Sequence, residues 1–91
     1  MANVIVTLKI MPQSPESDLK AIEHAASIKI KAFSGEIAKT EHVPVAFGLK
    51  SVNIMFIMDE DKGSTEALEN EISRIAQVNS VDVIDVRRTF G

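Results

Sequence analysis

Hydrophobic and polar residues alternate near the start of the chain, across residues 3–11. Successive side chains of a β-strand point to opposite faces, so this alternation predicts a strand with one buried face. The polar segment that follows, 14–18, contains serines, a proline and acids, which are typical of a helix start. We therefore expect serine caps there and Pro15 in the first helical turn. The buried face of the strand is predicted to consist of Val4, Val6, Leu8 and Ile10.

The rest of the chain carries the same kinds of periodicity. A helical pattern reaches Phe33, and a strand with a polar middle follows, which suits the edge of a sheet. The next strand is more hydrophobic and is predicted to be central. In the last strand we expect Val81 and Val83 on one face and Ile84 and Val86 on the other. The predicted bounds are 36–45 and 49–58 for the middle strands, 66–77 for the second helix and 78–88 for the last strand.

The element order βαββαβ predicts an α+β fold. Two βαβ halves of this length fold as a ferredoxin-like split sandwich, a four-stranded antiparallel sheet with two helices on one face. The handedness of the crossovers places the third strand between the first and second, with the fourth beside the first. The loop after the second strand then lies at one end of the sheet, and the acidic turn 59–63 and residues 87–88 lie at the other. Strands of about eight residues separate these ends by roughly 25 Å.

Length and composition restrict the possible functions. The 91 residues form one domain, 1–91, and the net charge of −3 argues against direct nucleic-acid binding. The absence of cysteine excludes disulfides, thiol chemistry and cysteine-ligated metals. No signal peptide or membrane-spanning run is apparent, so we expect a cytoplasmic protein without membrane contact. We also expect no metal and no cofactor, because neither histidine has a ligand partner at useful spacing.

The sequence contains no recognisable set of catalytic residues. No serine is accompanied by a recognisable histidine and acid, so we expect a protein that is not an enzyme. An RNA-recognition domain needs aromatics on two central strands, but the first strand has none and the third offers only Phe56, which we interpret as core. The acidic turn 59–63 lacks the spacing of a calcium loop, and we interpret it as a solvated helix entry.

Two features remain as candidate binding sites. Phe47 lies in a loop beside a glycine, in a chain with only 4 phenylalanines and no other aromatic residue. It is either a recognition anchor or a plug over the end of the sheet. Arg87 and Arg88 close the last strand, either as a solvated terminus or as cations that compete for phosphate or magnesium ligands in a partner.

Three strings of residues carry a family resemblance: VPVAFGLK at 43–50, DEDK at 59–62 and VDV at 81–83. Together they resemble the exchange domain of translation elongation factor 1-beta. The resemblance covers essentially the whole chain, without the N-terminal region of the eukaryotic members. The ending VRR at 86–88 is most similar to the archaeal form.

The resemblance implies a function and a partner. The family promotes guanine-nucleotide exchange on elongation factor 1-alpha, the GTPase that delivers aminoacyl-tRNA. By resemblance, the aromatic matched by Phe47 contacts the second domain of the partner, and Gly48 and Lys50 belong to the same partner-binding surface. A lysine of the family, which approaches the magnesium and phosphate site, is matched by Arg88, with Arg87 as the alternative. Arginine is longer and planar, so this replacement is not conservative.

A different class of function stays open. The same fold also serves regulatory or assembly modules that bind a small metabolite or oligomerise through the open sheet. Such a module needs a glycine-rich turn after the first strand, and residues 12–15 contain no glycine. We therefore favour a monomeric exchange factor. In this interpretation Phe47 provides uniform docking affinity and Arg88 distinguishes the GDP-bound from the nucleotide-free partner.

Overall fold

The regular elements occur in the predicted order βαββαβ. The computed structural model describes residues 2–89 of the chain. A tight turn at Ala46–Gly48 precedes the third strand, and a short 3₁₀ turn at Glu60–Lys62 follows it. The helices and strands are β1 (Asn3–Pro12), α1 (Leu19–Ala32), β2 (Glu36–Pro44), β3 (Lys50–Asp59), α2 (Glu66–Ser73) and β4 (Val78–Thr89).

The four strands form one antiparallel sheet in the order β2-β3-β1-β4. This order confirms the predicted topology, with β2 and β4 at the edges and β3 beside β1 in the centre. The inward residues of β1 and β3 are fully or almost fully buried against both helices. Each such side chain contributes about 1.5–3 kcal/mol through removal from water. The main inward residues are Val6, Leu8 and Ile10 of β1, Val52, Ile54, Phe56 and Met58 of β3, and Ile22, Ile30, Leu68 and Ile72 of the helices.

The first helix begins after the serines that were predicted to cap it. Asp18 is its N-cap, and the Asp18 carboxylate accepts a hydrogen bond of 3.1 Å from the backbone N–H of Ala21. The serines instead close a turn before the helix, in which the backbone N–H of Ser17 donates to the carbonyl of Ser14. Pro15 lies in that turn, so its expected place in the first helical turn was wrong.

The second helix ends at Ser73, four residues before the predicted end at Gln77. Its last turn tightens, because the backbone N–H of Ile75 donates to the carbonyl of Ile72. Gln77 then adopts a left-handed conformation with φ of 72°. Its carbonyl accepts a 2.8 Å hydrogen bond from the backbone of Gln13, which holds the reversal into β4 against the end of β1.

A β-bulge in β4 changes the faces that its side chains occupy. Thr7 pairs with Asp85 but Leu8 pairs with Val83, so Ile84 is an extra residue without a partner on β1. Beyond the bulge, Val86 pairs with Val6 and therefore lies on the helix side of the sheet, like Val83. The prediction that Val86 shares the opposite face with Ile84 was wrong, because simple alternation does not anticipate the extra residue.

Candidate functional site at the two ends of the sheet

The predicted site residues lie at opposite ends of the sheet. At one end Pro44 pairs with Lys50, beside the connection that carries Phe47. At the other end Asn3 pairs with both Asp59 and Thr89, beside the C-terminal arginines. We call these the Phe47 end and the Arg88 end. The molecule is 42 Å long in its longest direction, and the ten residues of β3 separate the two ends, so one small ligand cannot touch both.

Phe47 projects into solvent from a tight turn. Its side chain is 93% exposed, which rules out the interpretation of Phe47 as a plug. The backbone N–H of Leu49 donates to the carbonyl of Ala46, and both residues between them have positive φ, 61° for Phe47 and 75° for Gly48. That combination is the signature of a type I′ turn. A residue other than glycine costs about 1 kcal/mol in this conformation, so the aromatic is held outward at some expense of stability.

Gly48 and Lys50 share the Phe47 end, as the resemblance implied. Both are exposed, and Lys50 is the first residue of β3. A hydrogen bond of 2.8 Å between the backbones of Val45 and Leu49 closes the base of the loop. The aromatic ring, the glycine backbone and the lysine are therefore all exposed within four residues of a short connection that backbone hydrogen bonds close.

The two C-terminal arginines lie on opposite faces of the sheet. Arg88 pairs with Val4, so it lies on the helix side, whereas Arg87 pairs with Ile5 and lies on the open side. The bulge at Ile84 sets this arrangement, since it shifts the phase of every later residue. The structure thus separates two candidates that the sequence left together.

Each arginine has an acidic neighbour of its own. A terminal guanidinium nitrogen of Arg88 lies 2.6 Å from Oε2 of Glu60, and Nε of Arg87 lies 2.9 Å from the Asp85 carboxylate. The Arg87 side chain is 76% exposed and that of Arg88 63%, so water screens both pairs. The predicted topology places the acidic turn and the arginines at the same end of the sheet, but the specific contact of Glu60 with Arg88 was not predicted.

The acidic turn is only partly the solvated helix entry that we predicted. Asp59 accepts a 2.8 Å hydrogen bond from the backbone of Asp61, and Asp61 is exposed. Glu60 is half-buried instead, and its backbone N–H donates to the carbonyl of Ala2. Lys62 lies 5.8 Å from the centre of the Phe33 ring, which ties the turn to the end of α1. Across residues 2–89, no group of three potential metal ligands comes together.

A cavity of about 350 Å³ opens beside Glu60 on the helix side. Its walls are mainly apolar and include Val4, Val6, Met58 and Val86. Val86 is 57% exposed, so this part of β4 is left uncovered on the helix side. The Arg88 end thus combines a guanidinium, a carboxylate and an uncovered apolar wall.

The open face of the sheet is less suited to binding. Lys39 and Glu41 line a shallow depression of about 130 Å³ on this face, and their charged groups lie 2.6 Å apart. The hydrogen bond to Glu41, together with its negative charge, raises the pKa of Lys39. Both side chains are well exposed, so this pair is typical of a solvated edge strand.

Neither helix among the described residues is long and apolar enough to cross a membrane. α1, the longer of the two, has 14 residues.

Comparisons with known proteins agree with the geometry. Residues 5–89 match the family described as the EF-1 guanine nucleotide exchange domain. The chain is 42% identical to elongation factor 1-beta of Methanobrevibacter smithii, over 97% of this chain and 98% of that protein. It is 39% identical to elongation factor 1-beta of Methanothermobacter thermautotrophicus, with the same coverage. Among solved structures, the ACT domain of a GTP pyrophosphokinase from Chlorobium tepidum has a similar fold, with a TM-score of 0.60 over 90% of this chain and 99% of that one. That likeness concerns the fold alone, since only 16% of residues are identical.

Proposed function

This chain belongs to the elongation factor 1-beta family of guanine-nucleotide exchange domains, and on that premise we propose that it releases GDP from elongation factor 1-alpha by bridging two parts of that GTPase. The family membership confirms the predicted resemblance and makes the chain a nucleotide exchange factor of translation elongation. The identity of the partner and the role of each residue are the content of the proposal.

The observation that carries the proposal is the placement of Phe47 and Arg88 at opposite ends of one hydrogen-bonded sheet. Hydrogen-bonded strand pairs connect the two ends without a hinge. A partner that docks on Phe47 is therefore presented with Arg88 at a fixed distance. This geometry suits a multidomain GTPase, where one domain anchors the factor and another holds the nucleotide.

The mechanism follows from linkage. A factor that binds the nucleotide-free GTPase more tightly than the GDP-bound form must weaken GDP binding by the same factor. Contacts that are equal in both forms add affinity but do not change GDP binding. In our proposal Phe47 provides those uniform contacts, together with Gly48 and Lys50. The exposed Phe47 ring is available for this role, because aromatic side chains that become buried on binding provide much of the affinity of many protein interfaces.

Arg88 provides the differential contacts in our proposal. Its guanidinium would compete for the phosphate and magnesium ligands of the partner, which are occupied when GDP is bound. A guanidinium has five N–H donors in a planar fork that matches phosphate oxygens. Arg87 is less suited, since it lies on the open face beside Asp85. No covalent step is required, so in our proposal the chain is not an enzyme. We further propose that it acts in the cytoplasm as a monomeric single domain, without a cofactor or metal of its own and without nucleic-acid or membrane contact.

Release of labelled GDP tests the proposal. Elongation factor 1-alpha from the same organism is loaded with fluorescent GDP and mixed with excess unlabelled nucleotide and increasing amounts of this protein. We expect the release rate to rise with concentration and to saturate. We also expect the two proteins to co-purify best when nucleotide is removed. If release is not accelerated and no complex forms, the proposed function is wrong.

A further inference from the structure

In the ion pair between Glu60 and Arg88, the glutamate is held more closely by the fold and the arginine side chain is more exposed. The Glu60 side chain is 36% exposed, its Oε2 atom is buried, and its backbone is tied to Ala2. Arg88 belongs to the last residues of an edge strand and is 63% exposed. Within the described chain, Oε2 has no hydrogen bond of good geometry. The 2.6 Å contact is thus a close approach of charges rather than an aligned hydrogen bond.

We propose that Glu60 is a positioning residue, which holds the Arg88 guanidinium on the helix side at the end of the sheet, ready to meet the GTPase. This inference deepens the proposed function and rests on it. A free arginine side chain samples many rotamers, and ordering it at the moment of binding opposes the reaction. A fixed carboxylate that orders the side chain beforehand removes part of that entropic cost.

Two effects of Glu60 oppose each other. Its charge partly neutralises Arg88 and weakens the attraction of Arg88 for phosphate, whereas its contact orders the side chain. Only one terminal nitrogen of Arg88 makes the contact with Glu60. The rest of the planar fork can still face a phosphate group, because a guanidinium carries five N–H donors. We therefore expect ordering to outweigh neutralisation.

Substitution Glu60→Gln tests this inference, because it keeps the size of the side chain and removes its charge. We expect the maximal rate of GDP release to fall about fivefold, which corresponds to about 1 kcal/mol. The concentration of factor that gives half the maximal rate should not change, since Phe47 determines docking. The matched control is Asp61→Asn, the same charge change at an exposed residue of the same turn, which should leave the rate unchanged.

A double substitution separates positioning from general electrostatics. If Glu60 acts through Arg88, Glu60→Gln should have no further effect in a protein that already carries Arg88→Ala. Glu60→Asp, which keeps the charge on a shorter side chain, should give an intermediate rate.

Several outcomes would overturn the inference while the proposed function stands. A Glu60→Gln protein that releases GDP as fast as the unmodified protein, or faster, would show that neutralisation dominates or that the contact is irrelevant. Equal losses from Glu60→Gln and Asp61→Asn would attribute the effect to overall charge. By contrast, failure of the unmodified protein to accelerate release would remove the proposed function itself. Thermal unfolding of each variant verifies that the fold is retained.

Discussion

The Phe47 end and the Arg88 end differ in how they are built. The Phe47 end is one short turn whose geometry depends on five consecutive residues, 45–49. The Arg88 end joins the start of β1, the turn after β3 and the last residues of β4, which are far apart in the sequence. One end exposes an uncharged aromatic ring, and the other pairs opposite charges beside an apolar cavity. Contacts that only add affinity can thus arise from a local loop, whereas the proposed displacement of phosphate ligands depends on side chains that the tertiary fold brings together.

The largest expected effect comes from Phe47→Ala. A central aromatic anchor contributes about 2 kcal/mol or more to an interface, so half-maximal release should require about 30-fold more factor. The maximal release rate at saturation should change little, because the Arg88 end is intact. Titration of the GDP-release rate against factor concentration measures both quantities.

The matched control for Phe47 is Ile28→Ala, which removes an exposed apolar side chain from α1. It should change neither quantity, since Ile28 belongs to neither proposed contact. A lower maximal rate for Phe47→Ala, with docking unchanged, would reverse the roles that we assign to the two ends.

Arg88→Ala is expected to have a smaller effect, and to change the maximal release rate rather than docking. Loss of one charged contact should lower the maximal release rate about tenfold, or about 1.4 kcal/mol, while the half-saturating concentration stays near its original value. Arg88→Lys should give an intermediate rate, because the charge remains but the planar fork is lost. Stopped-flow measurement of GDP release at saturating factor gives the comparison.

Arg87→Ala is the natural control, since Arg87 is the adjacent residue with the same chemistry on the other face of the sheet. We expect less than about a twofold change, in line with the small contribution of exposed ion pairs. If both alanine variants lose the same activity, the separation of the two arginines by the bulge has no functional meaning.

The smallest expected effects come from the glycine of each end. Gly48 and Gly63 both have positive φ, of 75° and 76°, and a methyl group added at either glycine would meet no atom closer than 4.0 Å. Alanine at either position therefore introduces backbone strain rather than a clash. At Gly48 the cost is about 1 kcal/mol, whereas Gly63 has a ψ of −134° in a region adopted almost only by glycine, and alanine there costs about 1–3 kcal/mol. Each kcal/mol lowers the melting temperature by about 4–8 °C, which differential scanning calorimetry can measure.

The functional consequences of the two glycine substitutions should differ. Gly48→Ala should weaken docking up to about fivefold with an unchanged maximal rate, because it disturbs only the turn of Phe47. Gly63→Ala should lower the maximal rate instead, because it disturbs the turn that holds Glu60. An identical pattern for both variants would indicate that general stability, rather than the local end, controls exchange.

Much of the fold was predictable because its determinants are local or follow from general rules. The alternation of β1 and β3 identified the buried residues, and the crossover rule placed the strands correctly. The predicted start of α1 at the serines failed, since Asp18 forms the better cap directly before the helix. The predicted length of α2 failed because the chain must turn at Gln77 to enter the sheet.

The candidate site was predictable to different degrees at its two ends. A loop aromatic beside a glycine drew attention to Phe47, although only the structure showed that the ring faces solvent. The arginines were visible as a pair, but the sequence did not tell which face each one occupies. Glu60 was overlooked as a contact of Arg88, since its neighbours in the sequence are all acidic or basic and nothing marks it as different.

Local patterns of side chains were therefore sufficient for the order and type of the elements, the topology and the existence of the loop that carries Phe47, because those features depend on neighbouring residues and on the periodicity of strands and helices. The faces of Arg87 and Arg88, the contact with Glu60 and the cavity beside it were decided by the pairing of β4 with β1. That pairing places two more residues in β4 than in β1, one at each of two register shifts, and the shift at Ile84 sets the faces of the residues that follow it. Such a register depends on packing across the whole sheet, which no short segment of the chain encodes.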